Sequence, residues 1–153
     1  MPEDLTFQTS EKLMSFIEWQ DQLATHIFVV DQEHRFLIKT LNKLHEVVNE
    51  SQLSQQARDT LVMEVLNDLT FYTQTHFVVE EELMRVYAYP GLVNHKAEHD
   101  SFVAKVGYLT GEIKSHPMDI SNHLLGFLKD WLTKHIMVID SNMGKFLTEK
   151  GQN

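Results

Sequence analysis

Residues 76–99, HFVVEEELMRVYAYPGLVNHKAEH, carry two pairs of metal-binding side chains, His76/Glu80 and His95/His99. Each pair is spaced i,i+4, so both members leave one helical face about one turn apart. Between the pairs, Tyr89-Pro90-Gly91 must interrupt the helix, because proline lacks a backbone donor and glycine accepts turn geometry. The pattern therefore predicts two antiparallel helices that bring three imidazoles and a carboxylate together. That donor set suits zinc or a first-row transition metal better than calcium or magnesium, which prefer oxygen shells.

The flanking sequence supplies two more helices. Residues 1–26 mix polar residues with Phe7, Leu13, Phe16, Ile17 and Trp19 without a helical period, and are read as an arm whose aromatics pack on the rest. Over about 28–50, Val30, Phe36, Leu37, Leu41, Leu44, Val47 and Val48 recur at helical spacing, with His34 near the same stripe. After SQLSQQ, Ser54 is placed to cap a helix over about 55–86. A third helix spans about 92–114, although Gly107 and Gly111 each lower its propensity by up to about 1 kcal/mol relative to alanine. A fourth spans about 119–147, with Asp119 as its expected cap. Four amphipathic helices with short connections make an all-α, up-down-up-down bundle, one domain over 1–153.

Composition narrows the function. A formal net charge of -9 argues against nucleic acid and against an anionic membrane as partners. No apolar run approaches the roughly 18 residues of a membrane span, and the N-terminus lacks the pattern of a secretory signal. With no cysteine in the chain, a metal must be held by nitrogen and oxygen, and a reducing, cytoplasmic setting is expected.

Nine histidines are present, and a lone histidine is ordinarily a surface or hydrogen-bonded core residue. His26, His45, His116 and His123 are read that way. His34, His76, His95, His99 and His135 instead fall near core-facing stripes, together with Glu80 and Asp140. Burying so many polar groups without partners would cost roughly 1 to 3 kcal/mol each; a shared metal removes the difficulty. A rival reading takes His95-Lys96-Ala97-Glu98-His99 as the H-x-x-E-H pattern of a zinc peptidase with Glu98 as base, but leaves the other histidines unexplained.

The runs DQEH (31–34), HFVVEEELM (76–84), YPGLVNHKAEH (89–99) and WLTKHIMVID (131–140) stand in the order and spacing of the hemerythrin family, in its bacterial form, and the chain resembles that family over nearly its whole length. The resemblance implies two non-haem iron ions bridged by an oxo or hydroxo group. His95, His99 and His135 would hold one, His34 and His76 the other, with Glu80 and Asp140 bridging. It implies reversible binding of dioxygen for storage, delivery or sensing, without catalysis, the alternatives being a sensor module with a fused or associated signalling output, or a di-iron oxidase or peroxidase. Asp140 rests on the resemblance, since five residues turn a side chain by about 140° on an ideal helix. Trp131, Leu132 and Ile136 flank His135 and are read either as the lining of an oxygen pocket or as ordinary core. His26 departs from the family pattern, which often has glycine there, and bears on the conformation of the arm.

Overall fold

The structure, a computed structural model, describes residues 15–113, 115 and 117–153, with the side chains of 117–120 excepted. Phe7, Leu13 and His116, singled out above, lie outside the described residues. A 3-10 turn at Asp21–Leu23 precedes α1 (Phe28–Asn49), α2 (Gln55–Val86), α3 (Leu92–Ile113) and α4 (Pro117–Lys134). The last helical path then continues through a π-helical turn, His135–Asp140, into α5 (Ser141–Glu149). Helix α1 packs on α2 and α4, and α3 packs on α2 and α4, which is the closed ring of a four-helix bundle. Among the described residues there is no strand, and no helix is long and apolar enough to cross a membrane.

Local chemistry sets the helix ends. The Ser54 hydroxyl accepts from the Ala57 amide at 3.2 Å and caps α2. At its other end, the Tyr89 amide donates to the Met84 carbonyl (2.8 Å) and the Ala88 amide to Arg85 (3.2 Å), a paired closure with Ala88 in the left-handed region at φ 53°. Helix α4 starts at Pro117, two residues before the expected Asp119 cap, so Asp119 falls in the first turn. A proline suits the first helical position, where its missing donor would have no partner.

The fourth segment is not one regular α-helix, and this corrects the expectation. An i→i+5 turn brings the fifth residue back near the first, where an α-helix carries it well around the axis. His135 and Asp140 therefore share a face despite their spacing, with His135 Nε2 and Asp140 Oδ1 3.0 Å apart. A second correction concerns Phe36, expected on the core stripe of α1. It is 46% exposed and packs on Tyr72 instead, while Ile38 takes the buried position.

The arm is fastened at two points. Asn42 grips the backbone of Ile17 from both sides, accepting from its amide at 2.8 Å and donating to its carbonyl at 2.9 Å. Ile17 enters the main core, with Phe16 and Trp19 packed against it. Closer to α1, Asp31 accepts from the amide and hydroxyl of Thr25 (both 2.8 Å) and from the His26 amide (3.2 Å).

Two apolar clusters result. The larger runs from Leu37 and Leu69 to Phe102, Leu128 and Ile136, and the smaller joins Ile27, Val30, Met84, Met143 and Leu147. Along α1, His34 falls between Val30 of the smaller and Leu37 of the larger; along α2, His76 and Glu80 fall between Leu69 and Met84. A polar layer thus lies between two dry ones.

Candidate metal centre

Seven side chains from four helical paths form that layer. His34 comes from α1, His76 and Glu80 from α2, His95 and His99 from α3, and His135 and Asp140 from the π turn. All are between 0 and 4% exposed. They divide into two overlapping groups of converging donor atoms, one of Glu80, His95, His99, His135 and Asp140, the other of His34, His76, Glu80 and Asp140.

Each carboxylate spans the division. Glu80 turns Oε1 toward His76 Nε2 (3.0 Å) and His34 Nε2 (3.4 Å), and Oε2 toward His99 Nε2 (3.0 Å) and His95 Nε2 (3.3 Å). Asp140 does the same, with Oδ2 3.0 Å from His34 Nε2 and Oδ1 3.0 Å from the Nε2 atoms of His95 and His135. One oxygen of each carboxylate faces the two-histidine side and the other faces the three-histidine side.

The donor atoms themselves provide a test of fit. Both oxygens of Glu80 and Asp140, and Nε2 of His34, His95, His99 and His135, are buried without a hydrogen-bond partner, although they stand 3.0 to 3.4 Å from one another. The distances suit hydrogen bonds but the geometry does not, so these atoms face one another unpaired. Buried polar atoms left this way are costly unless a third party satisfies them. Five imidazoles and two carboxylates sharing their oxygens fit two transition-metal ions held side by side.

Without metal, the cluster holds protons. Burial opposes charge on His76, yet the Glu80 carboxylate and a hydrogen bond that the imidazole donates to Glu33 overcome it and raise the imidazole to about 10. His95 is raised to about 9 against its own burial by Asp140 and Glu80, and His34 is raised by the same two carboxylates. Burial likewise opposes ionisation of Glu80, but His76, His34 and His95 hold it well below the usual carboxylate range. Asp140 is also lowered, by His135 and His34, against burial and the nearby Glu80 charge.

Some contributors escaped the sequence reading. Glu33 Oε2 lies 2.7 Å from His76 Nδ1, and Glu81 Oε1 lies 3.0 Å from His99 Nδ1. The available signal was an acidic residue adjoining the ligand candidates His34 and Glu80 in sequence, too common a feature to single out. Phe77 stacks on His99 at 3.7 Å and Trp131 on His135 at 4.2 Å, so two of the rings are held by their faces. Leu132 and Ile136 are buried in the larger apolar cluster next to His135 in sequence, and Trp131 packs against the same cluster. Elsewhere, His45 stacks on Phe16, and His26 and His123 are exposed. Glu98 is also exposed while His95 and His99 face inward, which leaves the peptidase pattern without a base at the centre.

Residues 25–147 match the family model described as the Hemerythrin HHE cation binding domain. The chain is 37% identical over 123 residues to a bacteriohemerythrin of Stenotrophomonas maltophilia, a match covering 80% of this chain and 76% of that one. Hemerythrin of Themiste dyscrita is 28% identical over 122 residues, covering 80% and 86%. Among solved structures, wild-type hemerythrin superposes with a TM-score of 0.74 at 25% identity, over 88% of this chain and 99% of that one.

Proposed function

The chain belongs to the hemerythrin family, and from that premise we propose that it binds dioxygen reversibly at a non-haem di-iron centre, for storage, delivery or sensing. The observation that carries this reading is the unequal division of donors, three histidines against two, across a pair of shared carboxylates. In this assignment His95, His99 and His135 would hold one iron and His34 and His76 the other, with Glu80 and Asp140 shared between the two groups. When bound, the two irons supply the pair of electrons that dioxygen takes up and returns.

The residues determine the rest. With one imidazole fewer, the His34/His76 side would leave a bound iron one donor short, a position open to a small ligand. Five neutral imidazoles against two carboxylates lend less support to high oxidation states than carboxylate-rich bundles do, which favours carrying dioxygen over attacking a substrate with it. On that ground we read the protein as a binding protein and not an enzyme. Burial of all seven side chains excludes bulk water, whose access would release the ligand wrongly and strand the irons oxidised. We assign Trp131, Leu132 and Ile136 to the apolar lining of the oxygen route, a role supported by the burial of Leu132 and Ile136 beside His135.

The net charge of -9 argues against nucleic acid and an anionic membrane as partners, and the absence of cysteine supports a cytoplasmic setting. A sensing role would add a fused or associated signalling output. The test is elemental analysis with absorption spectra of the reduced protein before and after oxygen. About two irons per chain and a spectrum that reverses on removing oxygen are expected; one metal per chain, or zinc in place of iron, would sink the reading.

A further inference from the structure

We propose that Glu81 is a positioning residue that fixes His99 and delivers a fourth negative charge to the centre from the edge of the bundle. The proposal rests on the di-iron reading above. His99 is the most constrained ring of the set. Its Nδ1 meets Glu81 Oε1 at 3.0 Å, its face lies on Phe77 at 3.7 Å with the planes 7° apart, and its Nε2 points to Glu80 Oε2 at 3.0 Å. With a carboxylate at Nδ1, that nitrogen carries the proton and donates it, so Nε2 presents its lone pair inward.

This support is selective. Nδ1 of His34, His95 and His135 is buried without a hydrogen-bond partner, so those three rings are not held in this way. Accessory carboxylates stand behind one histidine on each side, Glu33 behind His76 and Glu81 behind His99. With Glu80 and Asp140 they make four carboxylates, matching the charge of two divalent ions.

Glu81 also reaches a surface groove. It is partly exposed and lines the cleft between α2 and α3 along with Val78, Lys96 and Asp100. Glu81 Oε1 faces His99 while its Oε2 pairs with Lys96 at 3.9 Å, and Lys96 is held in turn by Asp100 at 2.9 Å, so the Glu81 charge is shared between the ring and the groove. One side chain therefore links solvent to the three-histidine side. Losing its negative charge favours the less positive, reduced irons and raises the reduction potential.

The experiment compares wild type with Glu81→Ala, Glu81→Gln and Glu82→Gln, the last an exposed neighbour that lines the same cleft but pairs with Arg85 instead of a histidine. Readouts are cobalt(II) affinity of the metal-free protein by competition with a chelator, the reduction midpoint of the iron-loaded protein, and the melting temperature without metal. Glu81→Ala should weaken metal binding by roughly 10- to 100-fold, the usual loss when an outer-shell partner is removed. Glu81→Gln keeps an acceptor for Nδ1, so it should recover most of that affinity while still raising the midpoint. Unchanged affinity and midpoint in Glu81→Ala, or losses equal to those of Glu82→Gln, overturn the proposal. A lower melting temperature with affinity unchanged overturns it too, by reducing Glu81 to a structural role. If wild type itself fails to take up two metals, it is the di-iron reading that has failed.

Discussion

His26 holds its backbone at φ 65°, a region that costs a side chain bearing a Cβ about 1 to 2 kcal/mol and costs glycine almost nothing. The strain is sustained because the adjoining arm is over-determined: Asp31 takes the His26 amide together with both donors of Thr25. The His26 side chain is exposed and lies outside both groups of converging donors. Glycine introduced here relieves the strain but makes the unfolded chain freer, so the gain is partial. His26→Gly should raise stability by roughly 0.5 to 1 kcal/mol in urea unfolding, with metal content unchanged. A loss of stability would mean that the imidazole, not the backbone, is what this position needs. The glycine that the family resemblance implies here would thus have a physical cause in the backbone angle.

At the scale of elements, the arm and α5 approach closely at Gly144. A Cβ placed on Gly144 would collide with the Thr25 carbonyl oxygen and meet Thr25 Cβ at 3.0 Å. Because backbone forms part of that wall, the collision cannot be relieved by one rotamer change. Gly144→Ala should therefore push the arm from α5 and cost roughly 1 to 3 kcal/mol, as overpacking does, even though alanine is the better helix former. A gain in melting temperature would show that the arm moves freely. Much of the element pattern was legible, because the i,i+4 pairs His76/Glu80 and His95/His99, the Tyr89-Pro90-Gly91 break and the Ser54 cap are local signals. The π turn was not. Residues 135–140 keep α-helical chemistry in their sequence, and the extra residue is accommodated only when His135 and Asp140 must share a face with groups from three other helices. Glu33 and Glu81 were hidden for a similar reason, since their partners His76 and His99 lie 43 and 18 residues away.

For the molecule as a whole, protons and metal ions compete for one buried layer, and the pH dependence of stability follows. His76 and His95 rise from an ordinary 6.5 to about 10 and about 9 in the folded, metal-free chain. Groups raised in this way stabilise the fold fully below 6.5, and that contribution disappears as pH climbs through the folded values. Glu80 and Asp140 are lowered from 4.5 and 3.8, so their contribution is present above those values and is lost as pH falls below them. Metal-free protein should accordingly be most stable between 4.5 and 6.5 and weaken toward alkaline pH. Metal binding inverts the trend, because imidazole nitrogens bind metal only after giving up their protons. The stabilisation added by metal should grow as pH rises, and loading near neutral pH should release protons. Thermal melts at about pH 5.5 and about pH 8.5, with and without cobalt(II), separate these contributions. A metal-free chain that melts higher at the alkaline value, or a metal increment that shrinks there, would show that the histidines are not charged in the absence of metal.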